Sequence, residues 1–141
     1  MIVTKEDIPN YLPHRPPFLM IDCLSEVEPG YFQSEFTIES NNLLVEEGFF
    51  QASGLMENIA QTCAAGFGYL DRATGGPPKL GFIGAISKLE VFDLPPVHST
   101  ITTTVTPTHQ LGNIFLVKGL NSLEGRKLLE CEMKIVVNQQ E

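Results

Sequence analysis

At 141 residues the chain is long enough for one domain with a substantial core, here taken as residues 1–141. Nine basic against seventeen acidic residues give a net charge of -8, with the cations scattered and no basic run, which argues against a nucleic-acid partner. No apolar run is long enough to span a membrane, and the first residues lack a signal-peptide pattern. The three cysteines, Cys23, Cys63 and Cys131, sit apart among apolar neighbours, as reduced core thiols of a cytoplasmic protein do.

In chain order, residues 4–11 read as a short helical turn capped by Thr4 and ended by Pro13. Residues 18–28 are rich in apolar side chains and read as a strand that turns at Pro29-Gly30. Residues 31–38 alternate, with Phe32, Phe36 and Ile38 on one face and Gln33, Glu35 and Thr37 on the other, completing a hairpin. An irregular stretch at 39–51 precedes a helix over about 52–72, which Gly75-Gly76-Pro77-Pro78 stops. Four strands follow: 80–92, 97–106, 114–120 after a turn at Leu111-Gly112-Asn113, and a last one opened by Gly125. In the last strand Leu129, Cys131, Met133, Ile135 and Val137 face inward, and Glu130, Glu132 and Lys134 face water. A hairpin, one helix and four strands point to an α+β fold in which an antiparallel sheet wraps around the central helix. Its uncovered edge should pair with another copy to make a dimer.

The helix also holds the chemistry. In Ser53-Gly54-Leu55-Met56-Glu57-Asn58-Ile59-Ala60-Gln61-Thr62-Cys63 a carboxylate stands in an apolar, small-residue segment. Glu57 and Gln61, four apart, share one helix face. A charge in such surroundings is costly unless something offsets it, and burial shifts a carboxylate towards proton transfer near neutrality. The alternative is that Glu57 reaches out beside a groove or pairs with a cation. No two histidines stand at ligand spacing, so no metal is expected, and no motif calls for a cofactor.

Three blocks, in order, resemble the bacterial 3-hydroxyacyl-[acyl-carrier-protein] dehydratases of the hotdog fold. Leu12-Pro13-His14-Arg15-Pro16-Pro17-Phe18-Leu19-Met20-Ile21-Asp22 looks like their N-terminal signature. Leu55-Met56-Glu57-Asn58-Ile59-Ala60-Gln61 is similar to the helix motif carrying their catalytic carboxylate and glutamine. Gly84-Ala85-Ile86-Ser87-Lys88-Leu89-Glu90-Val91 resembles the strand beside it. The family pairs its glutamate with a histidine in a His-Phe-Pro-Gly motif. Counting back from Glu57, that position is Leu43, and no histidine or proline lies between Glu39 and Gln51.

The resemblance implies catalytic roles for Glu57 and Gln61. Gly54 and Leu55 would supply amide donors to a thioester carbonyl at the helix N-terminus, with Asn58, Gly84 and Ala85 as further substrate contacts. His14 is expected to fix the turn into the first strand, and His98 and His109 to be solvated in loops. Three functions stay open. One is a 3-hydroxyacyl-[acyl-carrier-protein] dehydratase of fatty-acid or polyene-type synthesis. The second is an acyl thioesterase using Glu57. The third is a catalytically incomplete acyl-binding subunit of a heteromeric dehydratase. The implied partners are an acyl thioester on an acyl carrier protein or coenzyme A, and a second hotdog subunit, identical or related.

Overall fold

In a computed structural model that describes residues 2–72 and 81–137, the hairpin comprises β1 (Cys23–Glu28) and β2 (Tyr31–Thr37). Two short strands, β3 (Val45–Glu46) and β4 (Phe49–Phe50), lead into the helix α1 (Ala52–Asp71). Four long strands follow: β5 (Gly81–Val91), β6 (Thr100–Leu111), β7 (Ile114–Leu123) and β8 (Arg126–Val137). Every strand pair is antiparallel, and six of the strands join in the order β1-β2-β6-β7-β8-β5. The helix touches all six. A sheet whose every strand reaches one helix must curve around it, and this is the hotdog arrangement.

Alternation builds the inner face. Phe32, Ser34 and Phe36 of β2 are buried with Ile101, Thr103 and Val105 of β6, and with Leu129, Cys131, Met133 and Ile135 of β8. They enclose Leu55, Ile59 and Cys63 of α1 in the main core. Close approach depends on missing side chains. A methyl group at Gly66 would lie 2.3 Å from the Phe32 ring, and one at Gly119 would lie 2.4 Å from Ile59. Strand β5 differs from the rest, since most of its residues are exposed. It is bonded to β8 on one side and forms an end of the sheet.

The expected boundaries change in detail: β6 spans Thr100–Leu111 and β7 reaches Leu123, past the expected ends at 106 and 120. The first strand begins at Cys23 rather than at residue 18, because side chains of α1 bond the backbone of Phe18 and Met20, holding a strap that turns at Pro16-Pro17. The N-terminal turn is a 3-10 helix at Ile8–Asn10; the Thr4 carbonyl accepts the Asp7 and Ile8 amides, and no side chain caps it. The stretch 39–51 contains the β3–β4 hairpin, turning at Glu47 (φ 53) and Gly48 (φ 84). Positive φ at both turn positions matches the right-handed strand twist. The Gly75-Gly76-Pro77-Pro78 stop lies outside the described residues.

Candidate active site

The strap 12–20 positions the site, and its own side chains fold it. The Arg15 guanidinium donates to the carbonyls of Pro9 (3.1 Å), Leu12 (2.6 Å) and His14 (2.8 Å), gathering three turns of backbone around one fork. Two residues of α1 then tie the strap to the helix. Asn58 Nδ2 donates to the Met20 carbonyl at 2.7 Å. Gln61 Oε1 accepts the Met20 amide at 2.7 Å, and its Nε2 donates to the Phe18 carbonyl at 2.9 Å. Backbone groups that no strand satisfies find partners in amide side chains, as burial requires.

Gln61 makes one further bond: its Nε2 donates to Glu57 Oε1 at 3.0 Å. The strap's other contribution is His14, whose Nε2 lies 3.8 Å from the same Oε1. Thus Glu57, Gln61 and His14 meet at the junction of strap and helix. The Glu57 side chain keeps 36% of its accessibility, against 19% for His14. The carboxylate therefore reaches water instead of lying within the core. The histidine is the more deeply set, and its Nδ1 is buried with no hydrogen-bond partner among the described residues. Burial holds the His14 pKa below its ordinary value of 6.5. The Glu57 carboxylate pulls it up and Arg15 pushes it further down. The imidazole is consequently neutral at pH 7.

The other expected site residues separate. Asn58 is fully buried: besides bonding Met20 it accepts from the Thr103 hydroxyl and, at 3.0 Å, from the Asn121 amide. It is a strut between helix, strap and sheet rather than a substrate contact, since no polar atom of it faces solvent. Leu55 is likewise a fully buried core residue. The Gly54 and Leu55 amides both donate to the Gln51 carbonyl, at 2.9 and 3.1 Å, so neither is free to polarise a thioester. Helix geometry leaves the Ala52 and Ser53 amides without an intrahelical acceptor. Gly84 and Ala85 lie exposed on β5, at a step where the register with β8 shifts.

Leu43 is 54% exposed in the loop before β3. His98 and His109 are exposed as expected, but His109 lies within β6, paired with Leu116, rather than in a loop; its ring is 3.2 Å from the Thr108 hydroxyl. Arg72 stacks 5.5 Å from the Tyr11 ring and donates to the Asn10 carbonyl, while Lys88 pairs with Glu132 at 3.2 Å. These two cations are engaged on different elements. No group of His, Cys, Asp and Glu able to hold a metal occurs among the described residues. No helix among them is long and apolar enough to cross a membrane. The meeting of His14 with Glu57 is the part of the site that sequence reasoning missed. Its only signal was that Gln61, one turn beyond Glu57, could hold the segment containing the histidine.

Comparison with known proteins agrees with this architecture. A 3-hydroxyacyl-[acyl-carrier-protein] dehydratase FabZ of Oenococcus oeni is 26% identical over 145 residues, covering 96% of this chain and 99% of the relative. Among solved structures, the dehydratase heterocomplex ApeI:P of Xenorhabdus doucetiae superposes with a TM-score of 0.85 at 15% identity, over 94% of this chain and 91% of that one. A hypothetical thioesterase with coenzyme A from Streptococcus pneumoniae shares the fold at a TM-score of 0.65 and 13% identity, over 84% and 86% of the two chains. Residues 6–138 match the family described as ApeP-like, ApeP dehydratase, and the chain belongs to that family.

Proposed function

We propose that this chain is a subunit of a dehydratase acting on 3-hydroxyacyl thioesters of an acyl carrier protein, with Glu57 as the acid and a related hotdog subunit supplying the base. One observation carries the reading. A carboxylate held by Gln61 stands at the surface of the central helix, while the position of the family's histidine is an exposed leucine, Leu43. Removing a proton alpha to a thioester and expelling a hydroxyl takes a base and an acid. The FabZ relatives carry the substrate class in their name, and the ApeI:P neighbour is named as a heterocomplex. The first supports the substrate class and the second supports a partner subunit; that the partner bears the histidine is our inference from Leu43.

The reaction is then shared. The partner's base takes the α-proton, and the electron pair of that C–H bond forms the double bond. The β-carbon–oxygen bond breaks, and the oxygen leaves as water with a proton from Glu57. The Ala52 and Ser53 amides at the helix N-terminus are the donors available to the thioester oxygen as enolate charge develops.

The test is reconstitution. The purified chain, a histidine-bearing homologue from the same cell and their mixture are assayed with 3-hydroxyacyl and saturated acyl thioesters. The expected result is dehydration by the mixed assembly, at least about 100-fold slower with the chain alone, and lost with Glu57→Gln. Rapid dehydration by the chain alone would overturn the shared site. Hydrolysis of the saturated thioester would point to a thioesterase instead.

A further inference from the structure

Two side chains face the same oxygen of Glu57. Gln61 Nε2 is 3.0 Å from Oε1 and His14 Nε2 is 3.8 Å from it. Oε2 has no hydrogen bond from any described residue. We propose that His14 is a positioning residue for Glu57: with Gln61 it holds Oε1, so that Oε2 is the oxygen that carries and delivers the reacting proton. The proposal rests on the reading of Glu57 as the acid and adds to it which atom reacts and which residue orients it.

The environment of His14 fixes its form. Its Nδ1 is buried with no partner, and a proton placed there would be an unsatisfied buried donor. The proton of the neutral ring therefore belongs on Nε2, facing the carboxylate. The charged groups that face the ring are Glu57 from the helix and Arg15 from its own segment. Arg15 cannot compete for Glu57, because its guanidinium is committed to the carbonyls of Pro9, Leu12 and His14. At 3.8 Å the imidazole is beyond hydrogen-bond distance, and catalytic contacts of this kind commonly tighten when substrate binds. The strap is anchored on both sides of His14, by Arg15 and by the Gln61 and Asn58 bonds to Phe18 and Met20. Such double anchoring suits a residue whose task is to keep a second side chain in place.

A neutral donor can be replaced by another neutral donor of similar reach, but not by an apolar side chain. His14→Leu in the reconstituted assembly is expected to lower kcat by about 10–100-fold with KM unchanged, the cost of a misplaced catalytic group. His14→Gln, which keeps an N–H near the position of Nε2, should recover most of that loss. The titration of the His14 ring, followed by nitrogen-15 NMR in the wild-type chain and in Glu57→Gln, needs neither partner nor substrate. The midpoint is expected to fall in the variant, because the carboxylate that raises it has gone. An unchanged midpoint overturns the proposal even where His14→Leu fails to fold. So does an active assembly in which His14→Leu matches wild type, or in which His14→Gln is as slow as His14→Leu. A shifted midpoint with no dehydration in any pairing rejects the assignment of Glu57 as the acid, and the role of His14 with it, while confirming that the two groups are coupled.

Discussion

His14 is the residue whose ionisation most directly links this fold to pH. Its folded-state pKa lies below the unfolded value of 6.5, with burial the main cause. The unfolded chain therefore binds more protons between the two values, and stability rises with pH across that window. Stability from this group is fully present above pH 6.5 and is lost as the pH falls towards the folded-state pKa. The chain is expected to show a melting temperature that declines on acidification from pH 7 through 6.5, with a shallower decline in His14→Gln. Equal slopes in a differential scanning calorimetry series would show that other groups carry the acid sensitivity. The carboxylate and the glutamine were legible in the sequence because they stand four apart on one helix, a spacing that fixes their neighbourhood locally. His14 was not, because forty-three positions separate it from Glu57. Its approach is set by Gln61 and Asn58 bonding the backbone of Phe18 and Met20, a tertiary arrangement that no local pattern encodes. Asn58 misled in the opposite direction. A polar residue in a recognised motif suggested substrate, whereas its partners are the buried Thr103 and Asn121.

At the scale of the element, the helix was legible in extent but only partly in its neighbours: Gly66 meets Phe32 of the sheet, whereas Gly54 meets Phe50 of the β3–β4 hairpin and Gly68 meets the Tyr11 carbonyl of the N-terminal segment. Strand β8 was legible from its alternation, β6 from its threonine and β-branched residues, and their limits from the Gly112 and Gly125 turns, both at positive φ; β7 followed from the first of those turns. The β3–β4 hairpin was not, because two-residue strands are too short to show a period. The packing of α1 separates helix propensity from close approach. Alanine is favoured over glycine inside a helix by about 1 kcal/mol, so propensity alone would make Gly66→Ala stabilising. A methyl group there, however, would sit 2.3 Å from the ring of Phe32, which is itself buried and packed edge-on against Phe67 at 5.0 Å. Overpacking of this kind costs about 1–3 kcal/mol, which exceeds the propensity gain. Gly66→Ala should therefore unfold at lower denaturant, while Gly30→Ala, with nothing within 4 Å of the added methyl, should not move the midpoint. A Gly66→Ala midpoint above wild type would mean that Phe32 yields freely.

On the scale of the whole molecule, the unsatisfied feature is the free side of β5. Phe82, Ile83, Leu89 and Val91, with Phe92 just beyond the strand, are 36–52% exposed, a density of apolar side chains that the other strands keep inside. An edge strand of this length with open N–H and C=O groups pairs with another chain unless something blocks it. Lys88, at φ 51, marks a break in the register with β8, yet its side chain bonds back to Glu132 and does not shield the edge. We therefore expect β5 to meet β5 of a second hotdog subunit and bury about 1,600 Å² in total, bringing a second wall to the sheet end that carries Gly84 and Ala85. Ile83→Lys combined with Leu89→Lys would place two charges in that contact. A buried, unpaired ammonium costs several kcal/mol, enough to shift assembly by orders of magnitude at micromolar concentration. Sedimentation should then show wild type as an assembly and the variant as single chains that keep wild-type far-ultraviolet circular dichroism. A wild-type chain that sediments as a monomer both alone and with its histidine-bearing homologue would remove β5 as the joining edge. The shared site would then have no route to its second half.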